Sequence, residues 1–273
     1  MTLPDWQSNR PGVYDGLPEE AYHANKEPIS SSLLRWDGTP AHLEWKLRHP
    51  EPEESIELFI GTAVHAAVLE GRFPCDLVRR PPDVDLRTKE GKAWVASQGD
   101  KRILKPDEYD AIMGCTLELC EHPFVQRNVR PARKEVSLLA QRDGYLAKCR
   151  IDIVPPKVNW LGDIKTTREG EASPDGFQRT MSQRNYHAQA RWYLDLWNEL
   201  HPDDQRNDFV FIVVEKSPPY AVGIYRVSQE ALDAGARFNT ERLETLLRCR
   251  ETGVWPGYSE DPVTVELPKW RNG

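Results

Sequence analysis

The chain has 273 residues, 39% of them apolar, with 9 Trp and 9 Tyr, enough to bury one substantial core. No stretch approaches the roughly 18 uninterrupted apolar residues of a bilayer span, and the opening MTLPDWQSNR lacks an apolar signal core, so a cytoplasmic protein without a membrane partner is expected. A net charge of −7, from 36 basic and 43 acidic residues, counts against a protein that coats DNA by electrostatics alone. It does not exclude an enzyme that confines its Lys and Arg to one channel.

Residues 1–28 carry Pro4, Pro11, Gly12, Gly16, Pro18 and Pro28, which predicts an irregular arm, with order beginning near Ile29 and one domain over 29–273. Ser30 to Ser32 ahead of Leu33, Leu34 and Trp36 reads as an N-cap and a short helix, and Thr39-Pro40 opens another to about Arg48. Residues 55–71, SIELFIGTAVHAAVLEG, predict a helix buried on most sides and stopped by Gly71. A turn-rich stretch from Phe73 to Lys89 precedes predicted helices at about 88–98 and 106–121.

The centre changes character. Lys134 to Ala140, Tyr145 to Val154 and Trp160 to Lys165 are runs rich in Val, Ile and Leu, separated by turn residues, and predict successive antiparallel strands. Helices are expected at about 174–182 and 186–200, strands at 208–215 and 220–227, and a final helix from Ser228 to Arg250. This order implies an α/β fold with a mixed sheet flanked by helices. Cys75, Cys115, Cys120, Cys149 and Cys249 never form C-x-x-C, so reduced, mostly buried thiols are expected.

The window that carries chemistry is CRIDIV (149–154), a turn, then WLGDIKTT (160–167). Alternate strand residues share a face, so Asp163 and Lys165 project together, and Asp152 can come alongside from the preceding strand. Acids on apolar strands are costly to bury unless paired or metal-bound, which makes a hard-cation site a natural explanation. An acid-x-Lys tripeptide alone says little, because chance supplies about two in such a composition. The chain has three, and only Asp163-x-Lys165 lies in a hydrophobic strand with another acid on the strand before it. His65 is the only imidazole in the apolar helix, Glu135 begins the first central strand, and Gln189 and Tyr193 share a helix face four residues apart. Each taken alone also suits an ordinary core or surface role.

Taken together, these motifs resemble the RecE-type exonucleases (exodeoxyribonuclease VIII-like), a branch of the PD-(D/E)XK nuclease superfamily. The resemblance rests on Tyr22-His23, ISSSLL (29–34), TPAHLEW (39–45), GTAVHAAVLEG (61–71), KEVS (134–137), the CRID strand, DIKTT (163–167) and Gln189 with Tyr193, in that order. It implies a restriction-endonuclease-like core in which His65, Asp152, Asp163 and the backbone carbonyl of Ile164 ligate Mg²⁺ or Mn²⁺. Lys165 would orient the attacking water and offset phosphorane charge. Glu135 would position water or a second metal, and Gln189 and Tyr193 would brace the site and the DNA strand. Ser30 and Ser32 become candidates for a DNA-end phosphate, since hydroxyls at a helix start suit an anion.

The resemblance further implies processive 5′→3′ degradation of linear double-stranded DNA from its ends for recombination. It also implies a homo-oligomeric ring, a trimer or tetramer, and a single-strand annealing partner. The chain lacks the cysteine cluster of the iron–sulfur nucleases related to RecB, so no Fe–S cluster is expected. The final helix and several tryptophans could serve subunit contacts or the core. Alternatives are a structure-specific endonuclease on the same fold, or a non-catalytic recombination scaffold. A scaffold gains nothing from clustered acids that repel phosphate.

Overall fold

The computed structural model describes residues 1–50, 55–72 and 76–266. Its elements, in chain order, begin with α1 (Leu3–Gln7), β1 (Gly12–Tyr14), α2 (Glu19–Ala24), β2 (Ile29–Ser30), α3 (Ser31–Leu34), α4 (Pro40–Arg48) and α5 (Ile56–Leu69). There follow β3 (Leu77–Arg79), α6 (Lys89–Ser97), β4 (Arg102–Leu104), α7 (Pro106–Glu121) and α8 (Pro123–Asn128). The second half holds β5 (Arg133–Arg142), β6 (Tyr145–Val154), β7 (Trp160–Thr167), α9 (Pro174–Gln183), α10 (Tyr186–Leu200), β8 (Asp208–Glu215), β9 (Val222–Arg226) and α11 (Gln229–Thr252).

The central runs rich in Val, Ile and Leu form the middle of a mixed sheet ordered β1-β5-β6-β7-β8-β9. β5, β6 and β7 are antiparallel in succession, as expected, whereas β7 and β8 run parallel, with α9 and α10 as the crossover. The edge of β6 away from β5 is shared. β2 pairs with it in parallel at Ala147 and Lys148, while β7 meets it at Ile153. This fork opens the sheet beside Asp152.

Both sheet faces are covered. Leu138, Ile151, Leu161, Phe209 and Phe211 pack with Trp192 and Leu196 of α10, Leu34 of α3 and Leu246 of α11. Ile153, Ile164, Val210 and Ile212 pack with Val64 of α5 and Ile112 and Leu119 of α7. At about 25 cal/mol per Å² of buried apolar surface, these two layers are the main source of stability. α11 lies against α10, where the Asn239 side-chain amide donates to the Ala188 carbonyl at 2.9 Å, so its buried face belongs to the core.

Three expectations need correction. The first 28 residues are not an irregular arm: they hold α1, β1 and α2, and β1 pairs antiparallel with β5 through Val13 and Leu138. Their breakers keep each element short, and a separate cluster of Trp6, Tyr14, Leu17, Tyr22 and Leu139 holds them down. Second, α5 is buried along Ile60, Ala63, Val64, Ala67 and Leu69 only. Leu58 is exposed, and Gly61, Thr62 and His65 face a cleft. Third, the turn-rich stretch contains β3, which pairs in parallel with β4. Its first residues, 73–75, including Cys75, lie outside the described residues. Cys115, Cys149 and Cys249 are buried and Cys120 is exposed.

Candidate metal centre and cleft

Along β6 the period of two is legible residue by residue. Ala147, Cys149 and Ile151 enter the core, and the alternate positions are Lys148, Arg150 and Asp152. Glu135 lies between the pairs Lys134↔Ile153 and Val136↔Ile151, hence across from Asp152 on β5. One step from the Ile153↔Gly162 pair, Asp163 of β7 also faces Asp152. Three acids from three strands therefore converge.

Asp152 is 7% exposed, and its Oδ2 accepts from the Ile164 N–H at 3.0 Å and sits 3.3 Å from His65 Nδ1. His65 Nε2 lies 2.7 Å from the Ile164 carbonyl oxygen. A carbonyl only accepts, so Nε2 carries a ring proton, and Nδ1 faces Asp152. Burial, then the charges of Asp163 and Glu135, push the Asp152 carboxyl well above the usual range.

One ligand atom from each of His65, Glu135 and Asp152 lies within 4.8 Å of the others. An imidazole nitrogen with two carboxylates is a donor set for a divalent cation, and a cation there would offset the cost of ionising Asp152. These residues fit the metal that the sequence suggests. Asp163 stands apart from the trio: Lys165 Nζ is 2.5 Å from its Oδ1, and the Gln189 side-chain amide donates to its Oδ2 at 2.5 Å. Burial works to lower the Lys165 ammonium, yet the charge of Asp163 and its neighbours holds it above its ordinary value.

His65, Glu135, Asp152, Lys165 and Tyr193 line one open cleft of about 970 Å³, together with the Ile164 backbone region, Ser30 and Ser32. Ser30 and Ser32 hydroxyls are 2.9 Å apart, and Ser30 also caps α3 by accepting from the Leu33 N–H. Gln189 is buried beneath the cleft. Burial raises the Tyr193 hydroxyl well above its ordinary value, and its ring meets Phe209 edge-on at 6.1 Å. Of the residues expected from the sequence, Ser30, Ser32, His65, Glu135, Asp152, Ile164, Lys165 and Tyr193 line the cleft, Asp163 and Gln189 are buried behind it, and Glu135 is among the potential ligands.

Sequence reasoning missed the cleft's cations. Arg35, Arg150, Arg168, Arg184 and Lys216 line it as well. Arg35 donates to the Arg184 carbonyl at 3.1 Å, and its guanidinium and the Lys165 ammonium lie 5.8 and 4.9 Å from the Tyr186 ring centre. Arg150 was findable, because it sits two residues before Asp152 on a strand with strict alternation. The others come from loops and helix ends that only the tertiary fold brings together.

The model of the PDDEXK-like domain of unknown function (DUF3799) matches residues 30–266. A crystal structure of a "Putative exonuclease" from Eubacterium rectale superposes with a TM-score of 0.64 at 16% identity, covering 95% of this chain and 98% of that one. At that identity the likeness is one of fold. A second solved structure, SSO0001, has 18% identity over 65% of this chain and 84% of that one, and its TM-score of 0.30 is too low to bear on the site. No curated protein matches the sequence. The α/β architecture is that of the PD-(D/E)XK superfamily, and the chain belongs to the PDDEXK-like DUF3799 family.

Proposed function

We propose that this chain is a divalent-metal-dependent deoxyribonuclease that hydrolyses linear double-stranded DNA from its ends, as a RecE-type exonuclease does. The observation that carries the reading is the meeting of Asp152, Lys165, His65 and Glu135 in one cleft that also holds Ser30, Ser32 and several arginines, with Asp163 buried behind it against Lys165. The E. rectale protein's description as an exonuclease agrees with it.

His65, Glu135 and Asp152, with Asp163 and the Ile164 carbonyl adjoining, would hold Mg²⁺ or Mn²⁺. Bound there, the ion supplies Lewis-acid activation of water and of the phosphoryl group. Lys165, kept charged by Asp163, presents an ammonium where negative charge grows in the transition state. Gln189 fixes Asp163 from below, so the Lys165–Asp163 pair is set before substrate arrives. Tyr193 walls the cleft. Arg35, Arg168 and Arg184 offer guanidinium forks to backbone phosphates. Ser30 and Ser32, with α3 behind them, suit a terminal 5′-phosphate and hence 5′→3′ polarity. A homo-oligomeric ring in the cytoplasm working with a single-strand annealing protein completes the reading.

Ends are the discriminating test. In Mg²⁺, linear duplex is expected to be consumed to mononucleotides and single strands while covalently closed duplex persists. Ser32→Ala is expected to reduce the preference for 5′-phosphorylated over 5′-hydroxyl ends. Internal cleavage of closed circles would instead support an endonuclease on the same fold.

A further inference from the structure

Three carboxylates meet at the centre, and two have a cation of their own. Asp163 has Lys165, and Glu135 has Arg150, whose Nε donates to Glu135 Oε2. Arg150 is itself anchored at a second point, where its Nη1 donates to the Leu17 carbonyl at 2.9 Å. Leu17 is 5% exposed and belongs to the cluster of Trp6, Tyr14, Tyr22 and Leu139 that seats the N-terminal segment on the sheet. The Arg150 guanidinium lies 6.0 Å from the Tyr22 ring centre, inside the same seat.

Glu135 needs such a hold. Its φ of 53° is in the left-handed region, uncommon for a residue with a Cβ, and such a backbone persists only where its surroundings fix it. The side chains of Arg150 and Glu135 are only 13% and 16% exposed, so solvent competes weakly with their pairing. Residues 1–28 lie outside the span 30–266 that matches the family model, yet they reach Glu135 through one arginine.

We infer that Arg150 is a positioning residue, held by the Leu17 carbonyl of the N-terminal segment, that fixes the Glu135 carboxylate for a divalent cation. The inference rests on the metal-centre reading above. Arg150 is assigned a role through Glu135, to which it donates, and not as a ligand of the cation. Its planar fork spans Glu135 and Leu17 together, which a lysine ammonium on a flexible stem does not reproduce.

Arg150→Lys is the informative variant because it keeps the positive charge, so repulsion of an incoming cation is preserved while the fork is lost. The probe is Mn²⁺ alone, titrated calorimetrically without DNA, with melting temperatures of the metal-free proteins compared as a check on folding. The Mn²⁺ Kd is expected to rise by about tenfold in Arg150→Lys, the usual scale for losing a group that orients a ligand. In a Glu135→Gln background, adding Arg150→Lys is expected to change the Kd by less than about twofold. An unchanged Kd in the single variant overturns the inference, as does a tenfold loss that persists without the Glu135 carboxylate. A wild type that binds no Mn²⁺ overturns the metal-centre reading itself.

Discussion

Asp152 is buried and faces Asp163 and Glu135, with His65 and the Ile164 N–H beside it. Its folded-state pKa is raised, so the sign follows directly. Below the ordinary value of 3.8 both folded and unfolded chains hold the proton. Above it the unfolded chain releases the proton first, and the metal-free protein loses stability as pH rises toward the folded-state value. Asp152→Asn removes this penalty and is expected to stabilise the metal-free protein at neutral pH by about 1–3 kcal/mol while abolishing cleavage. Urea unfolding of both proteins across pH 4–8 checks it; equal slopes would contradict the assignment. Asp152, Asp163 and Lys165 were legible in the sequence because charged residues interrupt otherwise apolar strands. The bond between Asp163 and Gln189 was not, since it depends on how α10 crosses the sheet.

Among the elements, β6 holds the most information. Its Lys148 is 5% exposed, donates to the Tyr22 carbonyl at 2.9 Å and to the Asn25 carbonyl, and has its pKa lowered to about 8 by burial and by Lys26. The strand's charged alternation is therefore covered by the N-terminal segment, which receives the Lys148 and Arg150 side chains. Here the depressed pKa sets the sign. Between about pH 8 and 10.5 the unfolded chain binds more protons, so folding gains stability as pH rises through that window. Lys148→Met is expected to remove about 1–3 kcal/mol of that gain, read as the difference between the two proteins' unfolding free energies at pH 7.5 and pH 10.5.

Composition explains why the strand cores and long helices could be read in advance and the N-terminal elements could not. β5 to β8 have runs rich in Val, Ile and Leu, and α7, α10 and α11 have length and periodicity. β1 is three residues long, begins at Gly12, and owes its order to Trp6, Tyr14 and Tyr22. β3 and β4 are equally short and exist only as a pair.

At the scale of the whole molecule, a net charge of −7 coexists with a cleft lined by Arg35, Arg150, Arg168, Arg184, Lys165 and Lys216. Overall charge is the wrong guide to the ligand of such a surface, since local potential governs association. Among the described residues no helix is long and apolar enough to cross a membrane. The proposed DNA cleft predicts a salt-sensitive KM. Raising salt from 50 to 200 mM is expected to increase KM for linear duplex by at least about tenfold with a smaller change in kcat, because a few phosphate contacts are screened. A salt-independent KM would count against DNA as the substrate.

The central claim is that Asp152, Asp163 and Lys165 perform metal-dependent phosphodiester hydrolysis. Its most direct test is release of acid-soluble nucleotide from linear duplex DNA by the wild type and by Lys165→Ala, in Mg²⁺ or Mn²⁺ and with chelator. The account predicts release by the wild type with metal, none with chelator, and a loss of at least about 10²-fold in the variant. Equal release by both proteins, or none by the wild type with either metal, would contradict it.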